Sequence, residues 1–149
     1  MYQRILVSID GSSTAERGLE EAVKLAKLCG SALQLIYVVD PTPFAVDFEA
    51  LGRNTGRVRE SIENEAQAML DAAKARALAA GAGQVETVLV QRTMARISER
   101  IVEQAKAWKA ELIVIGTHGR RGVGRMLLGS DAEQTVRISP VPVLLVRGG

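Results

Sequence analysis

The residues with the clearest chemical purpose lie between Gly116 and Ser130, in the run Gly-Thr-His-Gly-Arg-Arg-Gly-Val-Gly-Arg-Met-Leu-Leu-Gly-Ser. Five of these fifteen residues are glycine. Glycine loses more backbone entropy on folding than any other residue, so such a cluster needs a reason: positive φ angles, or close approach of the backbone to a bulky ligand. Arg120, Arg121 and Arg125 place positive charge in the same loop, beside His118. The run ends at Gly129-Ser130, where a helical pattern begins, and a helix N-terminus offers N–H groups and partial positive charge to an anion. A loop of this composition, leading from a strand into a helix, is a phosphate cradle on physical grounds. It is not a P-loop, whose Gly-Lys-Ser/Thr is absent, and Gly-x-Gly-x-x-Gly is absent as well.

Each of these residues also has a plainer reading. Ser130, with Glu133 three residues on, suits a simple helix cap. Asp10, followed by Gly11, suits a side chain that caps its own turn. His118 reads equally as a loop histidine without a ligand, and Arg120 and Arg121 as solvated charges. Cys29 and Trp108 fall on apolar helix faces and read as core residues.

The elements that must position the loop follow from apolar periodicity. Apolar β-branched runs at Ile5 to Ile9, Leu33 to Val39, Leu112 to Ile115 and Val141 to Val146 suit strands buried on both faces, and a fifth, Val85 to Val90, alternates less cleanly. Between them lie helical stripes: Ala15, Leu19, Ala22, Val23 and Ala26; then Val58, Ile62, Ala66, Met69 and Ala73; then Ile97, Ile101, Ala105 and Trp108; then a short segment from Ser130. Ser13 and Glu16 have capping-box spacing, and Gly30 and Gly81 stand as stop signals. The order β-α-β-α-β-α-β-α-β predicts one α/β domain over residues 1–149, a doubly wound parallel sheet with helices on both faces. Ligands of such sheets bind beyond the carboxyl ends of the strands, where the strand order reverses. The long connection from Asp40 to Gly56 holds Phe44 and Phe48 and could hide a short helix at Phe44 to Leu51.

Composition narrows the class. The chain has 149 residues, one cysteine, one histidine and a formal net charge of +2. That excludes an internal disulfide and a four-ligand zinc site of the usual kind. Near-balanced charge and 3% aromatics argue against a nucleic-acid binder. No membrane-spanning run or export signal is visible, which predicts a cytoplasmic protein with no membrane partner.

The spacing of Gly116, Gly119 and Gly129-Ser130 resembles the nucleotide-binding signature of the universal stress protein family. The resemblance extends to Val7-Ser8-Ile9-Asp10-Gly11-Ser12, Tyr37-Val38-Val39-Asp40, Leu112 to Gly119 and Pro140 to Val146. It implies five parallel strands in the order 3-2-1-4-5, with Asp10 and the Gly116 loop flanking one crevice. It also implies an adenine nucleotide, ATP or AMP. Ser8, Ile9 and Asp10 would lie beside it, Asp10 near the adenosine or near a Mg²⁺ on the phosphates. The backbone of Val38 would meet the adenine. Gly116, Gly119, Gly129 and Ser130 would hold ribose and phosphates, with His118, Arg120 and Arg121 in the same loop. A homodimer through the last strand, with Val141, Val143 and Leu145, is implied too, and Pro142 suits such an edge. Asp131 departs from the pattern, because a carboxylate beside a polyphosphate repels it.

The resulting expectation is a nucleotide-binding regulatory protein. A slow ATPase is the enzymatic alternative, but no residue pair resembles a general base with its orienting partner. A family member working through protein contacts without nucleotide is the other alternative. A flavin protein would place its phosphate loop after the first strand, where Gly11-Ser12-Ser13-Thr14 is only a faint echo.

Overall fold

The computed structural model describes residues 1–40, 55–118 and 128–148. Nine elements alternate along them: β1 (Arg4–Ser8), α1 (Ser13–Cys29), β2 (Ala32–Val39), α2 (Thr55–Ala79), β3 (Gln84–Gln91), α3 (Ile97–Trp108), β4 (Leu112–Gly116), α4 (Ser130–Ile138) and β5 (Val143–Val146). The strands form one parallel sheet in the order β3-β2-β1-β4-β5, as expected. The candidate helix at Phe44 to Leu51 lies outside the described residues.

Side chains alternate across a strand, and both faces of this sheet are covered. Ile5 and Val7 of β1, Leu33 and Leu35 of β2, and Leu112 and Val114 of β4 pack on one side with Leu19, Ala22 and Val23 of α1 and Leu70, Ala73 and Ala77 of α2. Leu6, Ile36, Ile113 and Ile115 point to the other side, against Ile101, Val102 and Ala105 of α3 and Ala132 of α4. Strand β1 is central, and its Ile5, Leu6 and Val7 are fully buried. Each such side chain contributes about 1.5–3 kcal/mol of burial.

Several boundaries differ from the expectation. The cap of α1 is Ser12, not Ser13: its side chain accepts the Ala15 N–H at 3.2 Å. Gly30 does close α1, in the left-handed region at φ +70°. In α2 the buried stripe shifts to Ala66, Leu70, Ala73 and Ala77, while Val58 and Ile62 are only half-buried. Strand β5 starts at Val143, two residues later than the apolar run. Cys29 is the last residue of α1 and is half-buried rather than sealed in the core.

Two interactions shape the carboxyl end of the sheet. Arg92 N–H donates to Val39 O at 2.7 Å, and its guanidinium pairs with Asp40, joining the ends of β2 and β3. Thr117, just past β4, donates its N–H to Val146 O at 2.9 Å, joining β4 to β5.

Candidate functional site

Strand order reverses between β1 and β4, and a cavity of about 600 Å³ opens at their carboxyl ends. That volume suits a small organic ligand. Nine of the residues singled out in the sequence line it: Ser8, Ile9, Asp10, Val38, Gly116, His118, Gly129, Ser130 and Asp131. Gly119, Arg120, Arg121 and Arg125 lie outside the described residues.

The turn after β1 holds itself together. Asp10 Oδ1 accepts the Ser12 N–H at 2.8 Å, so the self-capping reading of Asp10 is realised. Ser12 in turn caps α1. The Thr14 hydroxyl, buried in the first turn of α1, donates to the His118 carbonyl across the crevice. Gly116 makes this crossing close. A Cβ at that position would come within 2.8 Å of the Thr14 carbonyl carbon and 2.9 Å of the Ala15 nitrogen, both backbone atoms. Gly116 is therefore required first for packing β4 against the start of α1, a role the loop reading did not foresee.

Gly129 also has a structural duty. Its N–H donates to Thr117 O at 2.7 Å, so the segment between them leaves and rejoins the fold at one point. Gly129, not Ser130, is the N-cap of α4, and glycine has no side chain to cap it with. Ser130 is its first helical residue. First-turn N–H groups lack intrahelical acceptors, and here the cap residue has no side chain to supply one. They start at the cavity wall, where helix polarity favours an anion. Asp131 lines the same cavity.

Among the described residues, three buried side-chain atoms have no hydrogen-bond partner: Ser98 Oγ, Arg100 Nε and His118 Nε2. Ser98 and His118 both line the cavity. The other ring nitrogen of His118 is 3.0 Å from the Thr117 hydroxyl, which fixes the ring. No group of three or more His, Cys, Asp or Glu among the described residues could hold a metal ion. Asp10 alone could meet a cation only if that cation's other ligands came from elsewhere.

Sequence reasoning missed the wall contributed by the β3–α3 connection: Arg92, Arg96, Ile97, Ser98 and Ile101. The signal was available, since this segment also follows the carboxyl end of a strand. It carries no glycine cluster, so nothing in its composition stood out.

The family model for the universal stress protein family matches residues 1–147. Universal stress protein MJ0531 of Methanocaldococcus jannaschii is 35% identical over 147 residues, 99% of this chain and 83% of that protein. The protein MJ0577, solved as a structure-based assignment of biochemical function, aligns with a TM-score of 0.84 at 27% identity, over 100% of this chain and 98% of its own. A universal stress protein in complex with cAMP aligns with a TM-score of 0.69 at 27% identity, covering 98% and 97%. One from Archaeoglobus fulgidus in complex with dAMP aligns at 0.72 and 26% identity, covering 97% and 98%. The whole-chain family match and the shared 3-2-1-4-5 sheet lead to one conclusion: this chain belongs to the universal stress protein family.

Proposed function

We propose that this protein binds an adenine nucleotide in the cavity at the β1–β4 switch point and acts as a stress-response regulator through the bound state. The observation that carries the reading is the start of α4 at the cavity wall, where the cap residue is a glycine with no side chain to cover the first amide groups. Its amide groups suit a phosphate, and the glycine-rich segment leads directly into it. The unpartnered His118 Nε2 on the same wall supplies a further polar contact for ribose or phosphate. The cAMP and dAMP complexes of structural relatives support the adenine base. The proposed ligand set is Ser8, Ile9, Asp10, Val38, Gly116, His118, Gly129 and Ser130, with Gly119, Arg120 and Arg121 from the loop. Asp131 favours ligands with few phosphates, AMP before ATP. Mg²⁺ would be carried by the phosphates and meet Asp10.

Regulation is a better account than turnover because Asp10, Asp40 and His118 at the cavity are each engaged by a neighbouring group. Asp10 accepts from Ser12, Asp40 pairs with Arg92, and His118 Nδ1 meets Thr117. None of these is a base poised on a nucleophile, as efficient phosphoryl transfer would need.

A homodimer through β5 belongs to the same reading. Strand β5 is an edge strand with four apolar, half-buried residues, and such edges are templates for pairing. Ile113 N–H donates to Pro142 O at 3.0 Å, and Thr117 N–H donates to Val146 O. In a parallel ladder this alternation turns the backbone groups of Val143 and Leu145 outward. Thr117 stands between two cavity residues and bonds to β5, which gives bound nucleotide a direct route to the dimer edge.

The test is calorimetric titration of AMP, ADP and ATP, with and without Mg²⁺, into the wild type and Ser130→Glu. The reading requires binding in the wild type and a large loss in the variant. A wild type that binds none of the three would leave the protein-contact alternative in its place.

A further inference from the structure

Within the cavity, charge and burial are sorted. Asp10, Arg92, Arg96 and Ser130 are exposed or half-exposed, whereas Ile101, Ile115 and Ala132 are buried at 0%, 6% and 3% exposure. Among the described lining residues, Ser98 and His118 carry a buried polar atom without a partner, and of the two Ser98, at 1% exposure, is the one sealed among these apolar side chains. Thr117 is buried there too, but its hydroxyl is engaged with His118.

An unmet buried hydroxyl is unfavourable, and native structures keep few of them. Ser98 has local ways out that it does not take. It lies at the second position of α3, where a serine can also bond the backbone. Instead it lines the cavity unpaired.

The sorting decides which part of a nucleotide belongs beside it. A phosphate requires the charged, solvent-facing rim and the start of α4. A purine base is flat and largely apolar, and its edge carries hydrogen-bonding groups. It suits a wall of isoleucine and alanine interrupted by a single hydroxyl.

We propose that the Ser98 hydroxyl hydrogen-bonds the edge of the base and is a specificity-determining residue of the site. The inference rests on the nucleotide reading above and adds a side chain that reads the base. A base with a hydrogen-bonding edge would supply the partner that the Ser98 hydroxyl does not find within the protein.

The test uses the full chain, wild type and Ser98→Ala, titrated calorimetrically with AMP. Purine riboside 5′-monophosphate and the 1-deaza, 3-deaza and 7-deaza analogues of AMP, each lacking one polar group of the base, are titrated in parallel. Ser98→Ala is expected to weaken AMP about three- to tenfold, the size of one net hydrogen bond. For one of the analogues the wild type is expected to be weakened already by a similar factor, with less than a twofold further effect of the substitution. The unliganded variant is expected to melt no lower than the wild type. An AMP affinity within twofold of the wild type overturns the assignment. So does an equal loss with every analogue, which would place the hydroxyl on ribose or phosphate. A lower melting temperature of the unliganded variant marks a structural role and also overturns it. Absence of AMP binding to the wild type removes the nucleotide reading and this inference together, so the two failures are distinguishable.

Discussion

Gly116 and Thr14 stand so close that a Cβ on Gly116 would lie 2.8 Å from the Thr14 carbonyl carbon. The obstacle is backbone in the first turn of α1 as well as the Thr14 hydroxyl, so moving a side chain does not relieve it. Gly116→Ala must therefore shift β4 or α1, and overpacking of this kind destabilises by about 1–3 kcal/mol. Urea denaturation is expected to show a lowered midpoint with an unchanged slope. A midpoint equal to that of the wild type would mean the glycine is there for the ligand alone.

Ser130→Glu separates stability from binding. A carboxylate in the first turn of α4 favours the helix by about 0.3–1 kcal/mol. The same carboxylate repels a phosphate at the amide groups it would occupy. The variant is expected to melt at or above the wild-type temperature while AMP affinity falls more than tenfold, an order of magnitude consistent with removing a charge-assisted contact. Unchanged AMP affinity would move the phosphate away from α4.

Ser12 caps α1 through its side chain and donates its own N–H to Asp10 Oδ1 at 2.8 Å. Ser12→Ala keeps the Asp10 turn, since that bond uses the backbone, but removes the cap. The expected loss is about 1 kcal/mol in chemical denaturation. Ser12→Gly should lose only a few tenths, and the difference between the two variants identifies capping as the cause.

Val143→Pro tests the edge strand. Proline removes an N–H that the ladder alternation turns away from β4, and proline is tolerated on sheet edges with that orientation. Sedimentation velocity is expected to show a dimer for the wild type and a monomer for the variant. Near-native circular dichroism would show that the β4–β5 ladder survives. A variant that stays dimeric would place the interface elsewhere.

Much of the architecture was readable because each signal was local. Ile5 to Val7 and Leu112 to Ile115 are apolar at every position, as suits strands buried on both faces. Gly30 marked the end of α1 because only a residue free of a Cβ penalty settles easily at φ +70°. The cap of α1 was misplaced by one residue because Ser12 and Ser13 are both good caps. The choice between them was made by the Asp10 turn, which a spacing rule does not see. The stripe of α2 moved to Leu70 and Ala77 because the later turns of that helix, rather than the first, cover the sheet.

The layered α/β fold and the unusual glycine-rich run between a strand and a helix were legible in the chain, because both depend on residue type and short-range period. What those residues do together comes from the tertiary structure. It showed Gly116 as a packing contact with Thr14 and Gly129 hydrogen-bonded to Thr117, contacts between residues well separated in the chain. It also brought Ser98, which has no distinguishing neighbours in the chain, to the wall shared by Val38 and Ile115. The reason is the crossover connection: each one carries the chain over the sheet face, so residues from β1, β2, the start of α3 and the start of α4 meet at one edge although dozens of positions separate them.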